Sequence, residues 1–365
     1  MLRPDFENIA ALIAERGRLR EGEMALIYAH DEGLPLADAV VLECYRRGAV
    51  PVTLVRREEA EIDVLRLIPE ADIARPAQHL VAMMAQTDVL IALYCQYKNP
   101  ALLADVPREK IGAYMKSRDP LQDVLYDGNR RVLITDFPTS AQADFYGVAF
   151  DKYHDAFWRA MQVDYDELAR RVADVAAFVD GRNEVRVTSA KGTDVRLRIG
   201  GRRVFADDGV IGMPGEEGRD PILNLPSGEV CLAPWEDGAE GVVVFDFAFV
   251  GGQRVADLEV KFEGGRAALI SAAEGFERAG EFFAAGTGDP YVIAELGIGA
   301  NTSLTEPHGS ILLDEKIAGT VHLALGDNRT MQGKNHSSIH QDMIILGPRV
   351  TCDGELLMAD GELKI

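Results

Sequence analysis

The first half of the chain alternates short aliphatic runs with amphipathic stretches. Residues 23–30 (EMALIYAH), 49–57 (AVPVTLVRR), 87–94 (TDVLIALY) and 130–138 (RRVLITDFP) read as strands. The segments between them, such as ADAVVLECYRRG at 37–48, read as helices, as does the N-terminal MLRPDFENIAALIAERG. Aliphatic strands alternating with helices predict a parallel sheet covered on both faces. A long helical stretch is expected over roughly residues 141–179, where the apolar positions of VDYDELARRVADVAAFV recur at three- and four-residue spacing. It ends in DGRN, a turn signal, and a domain boundary is placed near Gly181.

Beyond that point the period changes from helical to alternating. Residues 184–201 read as a hairpin turning at Lys191 and Gly192. EVCLAP, GVVVFDFAFVGG, VADLEVKFEGGRAALI, YVIAELGIG, GTVHLALG, SIHQDMIILG and GELLMADGELKI continue the pattern, punctuated by glycines, with one helix expected over 271–284. The expected fold class is α/β (α+β overall). An N-terminal parallel α/β sheet domain, residues 1–180, precedes a β-rich C-terminal metal-binding domain, residues 181–365. The chain has no fixed-period repeat and no low-complexity tract. The first half contains neither GxGxxG nor GxxxxGK[ST], so a nucleotide site has no support there.

Charge narrows the partners. Acidic residues outnumber basic ones 59 to 38, for a formal charge of -21. That disfavours nucleic-acid partners, which need clustered Lys and Arg, and attracts cations wherever carboxylates converge. The four cysteines (Cys44, Cys95, Cys231 and Cys352) are dispersed and form no CxxC pair, which suggests a reducing compartment and argues against a cysteine zinc site. There is no apolar signal core at the N-terminus and no apolar run long enough to span a membrane. A cytoplasmic protein with no membrane partner is expected.

The candidate chemistry lies in the second half. Four of the seven histidines (His308, His322, His336 and His340) fall between 308 and 340. Residues i and i+2 of a strand share a face, so His340 and Asp342 project together and offer one imidazole nitrogen and one carboxylate. Both donors suit zinc, manganese, cobalt or iron. His322 shares its face with Ala324 and Gly326, Glu295 with Gly297 and Gly299, and Glu229 with Cys231 and Ala233. Small neighbours predict open space above the sheet, which a packed core would fill. Three carboxylates and two imidazoles on inward faces need compensation, and divalent cations supply it.

The segments NLPSGEVCLAP, AELGIGAN, ILLDEKIAGTVHLALGDN and HSSIHQDMII resemble the M29 family of metallo-aminopeptidases. The VDYDEL and GTDVRLRIGGR regions resemble that family's middle segment. The resemblance implies a metal-dependent hydrolase of small amides, which removes N-terminal residues from short peptides and works as a homodimer. It implies two divalent ions (Zn, Co or Mn) held by Glu229, Glu295, His322, His340 and Asp342. A metal-activated water would attack the scissile amide, with Glu229 or Glu295 shuttling the proton. Asp314 and Glu315 are either partners of His322 or a solvated turn. TDFPTS, residues 135–140, is either the mouth of the first sheet or a structural loop. One departure stands out: the family has a tyrosine shortly after the GTxHxAxG strand, and this chain has none between His322 and His340. Asn335 and His336 are candidates for part of that role. The alternative function is a mononuclear Fe(II) ring-cleaving dioxygenase acting on a hydroxylated pyridine or similar ring, as in the related 2,5-dihydroxypyridine dioxygenases. Those proteins lack counterparts of Glu229 and His322.

Overall fold

The four aliphatic runs of the first half form strands β1 (Met24–His30), β2 (Val50–Arg56), β3 (Val89–Tyr94) and β4 (Arg131–Asp136) in a computed structural model that describes residues 2, 4–94, 105–125 and 127–365. Cys95 lies outside the described residues. The four strands pair in parallel in the order β2-β1-β3-β4. Their aliphatic character follows from burial on both faces: Ala25, Leu26 and Ile27 of β1 and Val89 to Leu93 of β3 are all buried.

The long helical stretch is three helices, not one: Ser140–Tyr146, Phe150–Met161 and Tyr165–Val179. Gly147, at φ 69°, ends the first in a conformation that a helix interior does not allow. The third starts afresh at Asp164, whose carboxylate accepts from the N–H groups of Asp166 and Glu167. Of TDFPTS, Thr135 and Asp136 end β4, residues 137–139 form a short loop, and Ser140 begins the first helix, which that loop caps. Thr139 N–H donates to Gln142 Oε1 at 2.9 Å and Gln142 N–H to Thr139 Oγ1 at 3.1 Å, a reciprocal cap.

After the helices come β5 (Glu184–Thr188) and β6 (Asp194–Arg198), the expected hairpin, then β7 (Phe205–Asp207) and β8 (Ile222–Leu225). β8 does not continue the antiparallel pattern. It pairs in parallel with β4 and completes the first sheet. The contacts accordingly divide the chain into two interleaved units. One holds Met1–Phe145, Ala149–His154 and Val210–Leu225; the other holds Tyr146–Val148, Asp155–Gly209 and Pro226–Ile365.

The second unit is built on β9 (Glu229–Leu232), β10 (Ala239–Val250), β11 (Gln253–Glu263), β12 (Arg266–Ser271), β13 (Ile293–Gly299), β14 (Thr320–Gly326), β15 (His340–Leu346), β16 (Arg349–Cys352), β17 (Glu355–Ala359) and β18 (Glu362–Leu363). With β5, β6 and β7 they form one antiparallel sheet, ordered β18-β17-β16-β5-β6-β10-β15-β14-β13-β9-β7, with β11 and β12 continuing from β10. The class is mixed α/β. The expected helix near 271–284 occupies Phe276–Ala285, because residues up to Ser271 extend the β11–β12 hairpin. Every residue of β13 and β14 is buried, and each of these strands is paired on both edges. Tyr165, Leu168, Val172, Val175 and Val179 form the apolar stripe of the helix Tyr165–Val179, which contacts β7 and β9. Among the described residues, no helix is long and apolar enough to cross a membrane.

Candidate metal centre

Four neighbouring strands bring the candidate ligands together. Glu295 on β13 stands opposite Ala324 on β14, which stands opposite Asp342 on β15. One step along, His322 stands opposite Gly297, and Gly297 opposite Cys231 on β9. Gly299 stands opposite Glu229, and Glu229 opposite Asp207 on β7. Paired residues of antiparallel strands project to the same face, so this register puts Glu229, Glu295, His322, His340 and Asp342 on one side of the sheet.

The expected open space is not left empty. A Cβ on Gly297 would stand 2.0 Å from Cε1 and Nε2 of His322, so the imidazole lies in the place of the missing side chain. A Cβ on Gly299 would stand 2.0 Å from the carbonyl oxygen of Ile317. Both glycines are there because something else crosses over them, a ring in one case and a backbone in the other.

Glu295 is the hub. Its Oε1 lies 3.5 Å from His322 Nε2 and its Oε2 lies 2.9 Å from His340 Nε2. His340 Nε2 is also 3.4 Å from Asp342 Oδ1, and His322 Nε2 is 3.5 Å from Glu229 Oε2. His340 Nδ1 lies 2.6 Å from the carbonyl oxygen of Asp327. A carbonyl can only accept, so Nδ1 carries the proton and Nε2 is turned toward the acids, as in histidines that bind metals. Among the described residues, two groups of three have ligand atoms within 4.8 Å of one another: Glu229, Glu315 and His322, and Glu295, His322 and Asp342.

These residues fit a divalent ion. Glu229 Oε2, His322 Nε2 and Asp342 Oδ1 are buried without a hydrogen-bond partner, a costly state for polar atoms unless a cation completes them. The electrostatics agree. Burial opposes charge on His322, but Glu295 and Glu229 outweigh it and lift its pKa to about 9. Burial likewise opposes charge on His340, whose side chain is 31% exposed, yet Asp342 and Glu295 hold it well above the ordinary range. Burial would raise Glu295, but the two imidazoles hold it well below the carboxylate range. The acids demand positive charge, and here the imidazoles supply it. On the same face, burial and then Glu295 and Glu229 keep the Cys231 thiol protonated.

Sequence reasoning missed two residues here, Lys316 and Asp207, whereas Glu315 falls beside His322 and Glu229 as one of its two readings had it. Lys316, fully buried, reaches Glu229 Oε1 at 2.6 Å, Glu315 Oε1 at 2.5 Å and Asp207 Oδ2 at 3.5 Å. Burial foremost raises Glu315 to about 8 and Asp207 to about 7. The only signal was the run Asp-Glu-Lys before β14, which also reads as a turn; Asp207 carried none. Asp314 is no partner of His322. Its carboxylate accepts from the backbone N–H groups of His308 and Gly309, both at 2.7 Å. Asn335 spends its amide on the carbonyls of Asp289 and Gly326, at 2.9 and 2.6 Å, and His336 is exposed.

Residues 3–363 match the family model described as thermophilic metalloprotease (M29). The chain is 26% identical to aminopeptidase T of Thermus aquaticus, covering 98% of this chain and 95% of that protein. It is also 26% identical to aminopeptidase AmpS of Bacillus subtilis (strain 168), over 47% of this chain and 45% of that protein. Among solved structures, wild-type AmpT from Thermus thermophilus superposes with a TM-score of 0.79 at 21% identity, covering 99% of both chains. The 2,5-dihydroxypyridine dioxygenase of Pseudomonas putida KT2440 superposes with a TM-score of 0.65 at 15% identity, covering 98% of this chain and 96% of that one. At such identities the two structures speak to the fold alone.

Proposed function

The chain belongs to the M29 family of metalloproteases, and on that premise we propose that it is a metal-dependent aminopeptidase that removes N-terminal residues from short peptides. The observation that carries the reading is Glu295 set between two imidazoles, with Glu229 beside His322 and Asp342 beside His340. We assign two divalent ions, Zn, Co or Mn, to Glu229, Glu295, His322, His340 and Asp342, with Glu315 as a further donor beside Glu229. Such ions supply Lewis acidity toward a scissile carbonyl and lower the pKa of water. The protein's own work is to hold the donors aimed at the ions, and to move one proton. A glutamate oxygen, of Glu229 or Glu295, takes it from the attacking water and gives it to the departing amine. The absence of the family's tyrosine bears on which peptides are taken and on how the second ion is held.

Elemental analysis of protein purified without oxygen and reconstituted tests the reading. About two ions per chain are expected, with cleavage of dipeptides and aminoacyl amides that a chelator abolishes and added metal restores. His340→Ala should lose both metal and turnover; full activity in that variant would sink the assignment. The ring-cleaving dioxygenase is not favoured, and one iron per chain with strict oxygen dependence would revive it. We further propose an intracellular homodimer, in keeping with the dispersed cysteines and the family likeness; light scattering at twice the chain mass tests the assembly.

A further inference from the structure

Lys316 takes no part in the steps above, yet its ammonium is wholly buried in the same unit. A buried charge needs partners, and Lys316 has three carboxylates: Glu229 at 2.6 Å, Glu315 at 2.5 Å and Asp207 at 3.5 Å. The backbone fixes where it starts. Lys316 N–H donates to the carbonyl of Leu313 at 3.1 Å, and its own carbonyl accepts from Asn301 N–H at 2.8 Å. Gly299 leaves the room in which residues 316 and 317 cross β13.

The consequence falls on Glu229. Its Oε1 is committed to the ammonium, while Oε2 has no hydrogen-bond partner and lies 3.5 Å from His322 Nε2. A carboxylate can give a metal one oxygen or both. We infer that Lys316 is a positioning residue of the metal centre: by holding Oε1 it leaves Glu229 a single oxygen to donate and fixes where that oxygen points. Asp207, opposite Glu229 in the β7–β9 register, completes the surroundings of the ammonium. An ion pair that served only folding would leave what Glu229 offers unchanged. The inference rests on the metal reading proposed above.

The test is a titration of Co²⁺ into metal-free wild type, Lys316→Met and Lys316→Gln, reading affinity and the visible absorption bands that report ligand number. Methionine has no hydrogen to give Oε1; glutamine keeps an N–H there without the charge. Lys316→Met should bind about 10- to 100-fold more weakly, as when a group supporting a ligand is lost. Its bands should shift and lose intensity as Glu229 adds its second oxygen, and Lys316→Gln should restore the wild-type band shape. If Lys316→Met does not fold, Lys316→Met combined with Asp207→Asn removes one buried acid as well, and the same spectra are read. Wild-type bands and affinity in the methionine variants would overturn this inference and leave the metal reading standing. No Co²⁺ uptake by the wild type would overturn both.

Discussion

Gly297 shows how much one missing methyl decides. A Cβ there would meet the His322 ring at 2.0 Å, so the ring would have to leave Glu229 and Glu295. Gly297→Ala is expected to keep its far-UV circular dichroism and to lose about 100-fold in metal affinity; tight binding in that variant would mean that His322 is not a ligand. Two other side chains make a prediction about pH. Burial raises the thiol of Cys44 to about 11 and that of Cys352 to about 12. An unfolded cysteine ionises near pH 8.5, so above that pH the unfolded chain binds fewer protons than the folded one. These two residues therefore leave stability unchanged below about pH 8.5 and reduce it progressively as pH rises toward 11. Urea midpoints measured from pH 7 to 10 should fall, and less steeply in Cys352→Ala; parallel slopes would show that this thiol ionises without unfolding.

At the scale of elements, what could be read from the chain was whatever followed a period. The two-residue period gave the shared face of His340 and Asp342 and the faces of His322, Glu295 and Glu229, because burial of β13 and β14 permits only one register. The helical period gave the stripe of Tyr165–Val179 but ran past the breaks on its N-terminal side, since Gly147 and the Asp164 cap act through backbone geometry rather than hydrophobicity. Asp164→Ala should therefore cost about 1 kcal/mol in urea unfolding, without affecting the metal centre. Lys316 and Asp207 were illegible for another reason. One lies in a turn and the other in a three-residue strand, and their meeting depends on strands far apart in sequence pairing side by side. The same holds for β8, a four-residue strand whose pattern could not reveal that it joins the first sheet.

At the scale of the molecule, that return of the chain bears on where it can be cut. Residues 210–225 belong by contact to the first unit, and residues 155–180 to the second. A fragment of residues 1–180 would lack β8 and expose the edge of β4, whose Val132 and Leu133 are buried in the whole chain. We expect it to aggregate on size-exclusion chromatography; a soluble monomer with a cooperative melt would support independent domains divided near Gly181. The order of the ligands along the chain has a consequence for biosynthesis. Glu229, Glu295 and His322 leave the ribosome before His340 and Asp342, and β15 is the strand that closes the set against β14. A nascent chain halted before β15 would carry three of the five proposed donors and half of the imidazoles, and would be expected to hold an ion more weakly than the whole chain. On the proposed donor set, metal acquisition would follow the pairing of β15 with β14, late in synthesis.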